Sequence, residues 1–120
     1  MVSVMKTRIM YIERKASVLG GPARIGRVTF SKSGQSVYYG NRRFQTLSGR
    51  GYKANYFDSE TGEHYWISGC KKRGNDRLYP GHIEIDPDIQ EEYWTVIRGK
   101  PEYKHQGKIR CSGKHGGKAK

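Results

Sequence analysis

Eight cations bracket one aromatic stretch. Arg42, Arg43, Arg50 and Lys53 come before or at its start, and Lys71, Lys72, Arg73 and Arg77 follow it. Between them stand Phe57 and Trp66, with Asn55 and His64 close by in sequence. Each type has a use in nucleic-acid binding: guanidinium and ammonium groups hold phosphates, rings stack on unpaired bases, and amides read base edges. The competing reading is plainer. Phe57 and Trp66 would pack under a helix, and the cations would be scattered over a solvated surface.

Other chemistry finds little support. His64, Cys70 and His82 are near one another in sequence, and His105, Cys111 and His115 are spread through the last residues, but neither set has paired-ligand spacing. No metal site is expected. Cys70 precedes Lys71, Lys72 and Arg73, a setting that can lower a thiol pKa, but the expectation is an inert thiol, with a reactive one as the alternative. There is no GxxxxGK[ST] or GxGxxG loop, and Ser48, Ser59 and Ser68 lie in no nucleophile elbow. No catalytic residue and no cofactor is therefore expected.

The aromatic stretch, residues 51–69, must position the candidate site, and it reads as a β-hairpin. Residues 52–57 and 64–68 are its strands, and the turn formers Asp58, Ser59 and Gly62 lie between them. Thr61-Gly62 could be a two-residue loop, or residues 59–62 a four-residue one. Either pairing puts Phe57, Trp66, Lys53, Asn55 and His64 on one side, and Tyr52, Ala54, Tyr56, Tyr65 and Ile67 on the other, the core-facing side. A three-residue loop or a bulge would exchange the faces of one strand.

Further strands are expected at residues 6–14, 23–30, 36–39, 43–47 and 82–85. In the first, Ile9, Met10, Tyr11 and Ile12 are apolar on both faces, and in the second Gly26 marks a bulge or a close approach. The period then changes. Asp86 suits an N-cap and Pro87 a first helical turn, and Ile89, Tyr93, Trp94 and Ile97 recur at helical spacing. Gly99 suits the C′ position and Pro101 blocks continuation. This predicts a helix over 87–98 whose stripe covers a sheet face.

The chain has 120 residues, enough for one domain. Its apolar fraction is only 34%, so its Tyr, Phe and Trp rings must supply much of any core. No apolar run is long enough to span a membrane, and the first residues lack a signal-peptide stretch, so the expectation is a cytoplasmic protein with no membrane partner. Net charge is +12, and half of it lies in residues 100–120, where seven Lys/Arg face one acid, Glu102. That segment is nearly devoid of apolar side chains and reads as a disordered basic tail on a domain of residues 1–99. A field this one-sided attracts polyanions.

The expected fold is mainly β (α+β): a small, strongly bent antiparallel sheet or SH3-like partly open barrel of five to seven strands, with one C-terminal helix. The runs KTRIMYIERK (6–15), GPARIGRVTFSKSGQSVYY (21–39), FQTLSGRGYKANYFDSETGEHYWISG (44–69) and EEYWTVIRGKPE (91–102) resemble a family of small uncharacterised bacterial proteins, some of which carry the label 1-deoxy-D-xylulose-5-phosphate synthase. The resemblance covers about residues 5–103 and transfers no catalytic residues. A thiamine-diphosphate synthase needs a far longer chain and a GDG-type motif for magnesium pyrophosphate, and this sequence has neither. The expected function is a non-enzymatic nucleic-acid-binding module for RNA or another single strand. The alternatives are a protein-interaction module docking through the aromatic face or the acidic helix, and a small enzyme whose site has no recognisable motif.

Overall fold

The computed structural model describes residues 6–15, 22–48, 54–74, 76 and 81–111. Among them are eight strands: β1 (Lys6–Arg14), β2 (Ala23–Phe30), β3 (Ser36–Tyr39), β4 (Arg42–Thr46), β5 (Tyr56–Asp58), β6 (His64–Gly69), β7 (Gly81–Ile85) and β8 (Lys108–Cys111). Strands β1 to β6 close into an antiparallel barrel, because β1 pairs with β6 on one edge and with β2 on the other. Strands β7 and β8 extend the sheet beyond β2, with β7 parallel to it. The barrel is thus closed, where the sequence suggested a partly open one, and the extra strand is β8.

The apolar run of β1 explains the architecture. Side chains alternate along a strand, so Met10 and Ile12 enter the barrel with Val28, Val37, Phe44, Tyr65 and Ile67. Tyr11 faces outward, into a second core with Ala23, Ile25, Ile83, Ile85 and Ile109. That outer core is roofed by Ile89, Tyr93 and Trp94, so the predicted stripe covers a sheet face.

The roof is wound less regularly than a single helix over 87–98. It runs as a 3₁₀ turn (Pro87–Ile89), a short α turn (Gln90–Glu92) and a π turn (Tyr93–Ile97). The wide turn bonds Arg98 N–H to the carbonyl of Tyr93 at 3.0 Å. It also folds Arg98 back over the Trp94 ring, 4.9 Å from the centroid, and its Nη1 donates to the Tyr93 hydroxyl at 3.1 Å. Asp86 occupies the N-cap position, but its side chain makes no capping bond. Its carboxylate is taken by Arg24 at 2.7 Å and by the Tyr39 hydroxyl at 2.6 Å. Gly26 faces this cluster: a Cβ there would collide with the Asp86 carboxylate and the Tyr39 ring, so it marks a close approach. Gly99, at φ +66°, ends the segment as expected.

The disordered-tail expectation does not hold through residue 111. Residues 101–103 form a 3₁₀ turn whose Tyr103 ring lies 5.3 Å from that of Trp94. Trp94 Nε1 donates to the carbonyl of Gln106 at 2.9 Å, and β8 pairs with β7, setting Ile109 against Ile83. Composition hid this because one isoleucine and an unpaired edge strand suffice to order the segment. Residues 112–120 of the expected tail lie outside the described residues.

Truncation therefore tests the outer core. A chain ending at residue 99 loses Ile109 and the cover over Trp94, and removing one buried isoleucine side chain alone costs about 2–5 kcal/mol. Its melting temperature is expected to fall by roughly 10 °C or more, whereas a chain ending at residue 111 melts like the full one. Equal melting of both truncated chains in a thermal scan would place residues 100–111 outside the folded unit.

Candidate nucleic-acid interface

The hairpin forms with the four-residue option, residues 59–62. Asp58 N–H donates to Glu63 O, and Gly62 N–H to Asp58 O, both at 2.8 Å. Gly62 sits at φ +79°, a conformation glycine adopts without strain. The Asp58 carboxylate ties the loop by accepting from the Glu60 and Thr61 N–H groups. Tyr56 then pairs with Tyr65 and Phe57 with His64. Ala54, Tyr65 and Ile67 are buried, while His64 is exposed and Trp66 retains 37% of its surface. The predicted faces are those observed for residues 56–57 and 64–67, Tyr52 and Lys53 lying outside the described residues, and Trp66 does not pack under the helical segment. Its Nε1 donates to Ser68 Oγ at 3.2 Å, which fixes the plane of the ring on the barrel's outer wall.

The wall around Trp66 comes from neighbouring strands. Gln45 is opposite Phe57 and Tyr38 opposite Arg43. Arg43 is exposed, and Phe57, Tyr38 and Gln45 are half-buried. Tyr38 and Gln45 were missed by sequence reasoning, although strand alternation beside buried Val37 and Phe44 points to them.

Several predicted members do other work. Arg42 alternates with Arg43 and faces the barrel mouth, where Nη1 bonds buried Asp58 at 3.1 Å and the Tyr65 hydroxyl at 2.8 Å. The Asn55 amide is taken up by the backbone. Its Nδ2 donates to Ile67 O at 2.7 Å, and its Oδ1 accepts from Ile67 N–H at 2.9 Å. The side-chain amide thus extends the ladder past the end of β5. Lys71, Lys72 and Arg73 follow β6 in a turn closed by Gly74 N–H to Lys71 O at 3.1 Å. Lys72 and Arg73 are exposed, at the end of β6 opposite to His64. Arg50, Lys53 and Arg77 lie outside the described residues.

Cys70 is not the reactive thiol its basic neighbours suggested. Burial, reinforced by the nearby Asp76 carboxylate, pushes it up to about 12, and its Sγ points at Ile9 O, 3.8 Å away. The cations beside it in sequence occupy the turn, and two of them are exposed to solvent. Asp76 is itself buried, and that burial raises its pKa despite the Lys71 N–H bonded to Oδ1 at 2.9 Å. Among the described residues no three His, Cys, Asp or Glu side chains are grouped to hold a metal.

Removing the Asn55 amide leaves the Ile67 N–H and C=O without partners. Asn55→Ala should cost about 1–3 kcal/mol in a urea melt, with oligonucleotide affinity unchanged where the variant is folded. A stable variant with weakened binding would return Asn55 to the binding site. Alkaline stability supplies a second test. Burial is the leading cause that raises Tyr39 and Tyr93 to about 12, as it does Cys70. Their ordinary values are 10.0 for tyrosine and 9.0 for the thiol. The folded values lie above the unfolded ones, so this stabilisation is complete below about pH 9 and is lost as pH rises toward 12. Urea midpoints should fall progressively over that window. In a Cys111→Ser variant, a thiol reagent at pH 8 should label Cys70 slowly in the native protein and quickly in urea; fast native labelling would contradict the burial. Comparison with known proteins places the chain in no family: no family model, no curated protein and no solved structure matches it.

Proposed function

We propose that this protein is a non-enzymatic module that binds single-stranded nucleic acid, RNA among the candidates, on the outer wall of β3 to β6. The observation that carries this reading is Trp66: a large ring left accessible on a barrel wall, braced by Ser68, on the same wall as Phe57 and the exposed His64 and Arg43. An unpaired base can stack on such a ring. Arg43 at one end of the wall and Lys72 and Arg73 at the other supply phosphate contacts; no ion pair joins these three to an acid among the described residues. Among the described residues no helix is long and apolar enough to cross a membrane.

A protein-docking reading has one observation in its favour: Val96, 73% exposed on the outer side of the helical segment, with Tyr103 also exposed. Salt separates the two. Phosphate binding weakens steeply as salt is added, and docking through apolar side chains does not.

Trp66→Ala should lose roughly 1–3 kcal/mol of affinity for a labelled single-stranded oligonucleotide in an anisotropy titration. The urea midpoint should fall as well, since a ring 37% exposed still buries most of its surface on folding, so affinity is compared under conditions where the variant is folded. Unchanged affinity would sink the stacking role, and salt-insensitive binding would favour a protein partner instead.

A further inference from the structure

The two ends of the barrel differ in charge. At one end, the C-terminal end of β1 meets the β3–β4 turn and the β5–β6 loop around a hollow of about 340 Å³. Three arginines line it, and each has an acid: Arg14 with Glu63 at 2.8 Å, Arg24 with Asp86 at 2.7 Å, Arg42 with Asp58 at 3.1 Å. That end is neutralised by the protein itself.

The other end is not. Strand β6 pairs with β1 only from Met10 onward, while β2 follows β1 back to Lys6. The first residues of β1 therefore overhang the barrel. Alternation places Lys6 and Arg8 on the same strand face as Met10 and Ile12. Beyond the rim that face is open, and the two cations project there instead of apolar side chains. The β2–β3 turn closes over the same space, completing a hollow of about 320 Å³ lined by Lys6, Arg8, Phe30, Ser31, Lys32 and Ser33. None of the three cations has a hydrogen-bond or ion-pair partner among the described residues. No Asp or Glu lines the hollow, and all eleven acids of the chain belong to described residues, so no other segment can bring one to it. Both serine Oγ atoms accept backbone N–H groups, Ser31 from Ser36 at 3.1 Å and Ser33 from Gln35 at 3.3 Å. Their own hydroxyl hydrogens are left to be donated.

We propose that this open end of the barrel, formed by Lys6, Arg8 and Lys32 with the Ser31 and Ser33 hydroxyls, is a binding site for a phosphate group. A concavity lined by one sign of charge focuses the field on a counter-ion. Arginine contributes a planar fork, lysines contribute mobile point charges, and the hydroxyls donate to the remaining oxygens. An apolar wall, Phe30, bounds the hollow on one side. The phosphate group can belong to a free polyphosphate or to the end of a nucleic-acid strand. This site is separate from the Trp66 wall and does not rest on the stacking reading.

The test is a titration of the full chain with inorganic pyrophosphate, followed by backbone amide NMR. Saturable shifts confined to residues 6–8 and 31–34 are expected. Arg8→Gln and Lys32→Gln should each weaken binding about 3- to 10-fold, while Lys104→Gln, which removes the same charge elsewhere, leaves it unchanged. Trp66→Ala should also leave pyrophosphate binding unchanged, so failure of the stacking reading and failure of this site are told apart. A second arm compares 5′-phosphorylated and 5′-hydroxyl oligonucleotides. Preference for the phosphorylated strand that is lost in Arg8→Gln identifies a strand end as the source; equal affinities with intact pyrophosphate binding identify a free polyphosphate. Equal weakening by all three charge-removing variants, or shifts spread over every basic residue, would reduce the site to general electrostatic attraction and overturn the proposal.

Discussion

Strand β1 must be covered on both faces, and most of the molecule follows from that. Met10 and Ile12 need an interior, and Tyr11 needs a roof on the opposite side. One sheet cannot supply both by itself. The chain curls β1 to β6 into a barrel around the first set, then sends β7, the helical segment and β8 over the second. Tyr11, Ile25, Ile83, Ile89 and Tyr93 are fully enclosed between these layers, a substantial core for a chain with so low an apolar fraction. The π turn belongs to the same requirement. It lets adjacent residues Tyr93 and Trp94 both face the sheet and brings Arg98 across their rings as a lid.

Placement of the acids has a comparable reach. Asp58 organises the hairpin loop and holds Arg42, while Asp86 gives up its capping role to hold Arg24 and the Tyr39 hydroxyl. Glu92 takes Arg27 and Glu84 takes Lys108. These pairs cluster at the loop end of the barrel and along the outer layer. Among the described residues the cations without an ion pair include Lys6, Arg8 and Lys32 at the open end, Lys72 and Arg73 after β6 and Arg43 on the wall, with Lys100, Lys104 and Arg110 in the last described segment. A formal charge of +12 therefore overstates what an incoming polyanion meets at the loop end and describes the open end better.

Most of the architecture was legible in the sequence. The strand runs, the change to helical spacing after Asp86 and the hairpin faces all follow from local periodicity, and local periodicity is what a sequence displays. Barrel closure and β8 did not show, because both depend on backbone pairing between distant segments, to which side-chain pattern is nearly blind. The same divide runs through the site. Trp66 was placed on the outer wall by alternation alone. Arg42 and Asn55 were assigned to binding because their types fit it, yet their partners, Asp58, Tyr65 and Ile67, become visible only when three strands are set side by side. Cys70 shows the same divide. Sequence neighbours suggested cations around the thiol, whereas the fold buries it and sets Asp76 beside it.

These reassignments narrow what the binding surface can be. A guanidinium already bonded to a buried carboxylate and a phenol cannot leave for a phosphate without stranding Asp58. An amide that completes a strand ladder cannot turn toward a base without opening the ladder. Both residues fix the wall's geometry. The groups left accessible are the ring of Trp66, the imidazole of His64, and the cations that the acids leave unpaired. Trp66 and His64 lie on β6, a strand of six residues spanning roughly 17 Å from His64 to Gly69, with Lys72 and Arg73 just past its end and Arg43 on β4. A ring on a wall that also carries unpaired cations is the arrangement the proposed single-strand binding would use. The arginines at the barrel mouth, by contrast, are held by Glu63, Asp86 and Asp58.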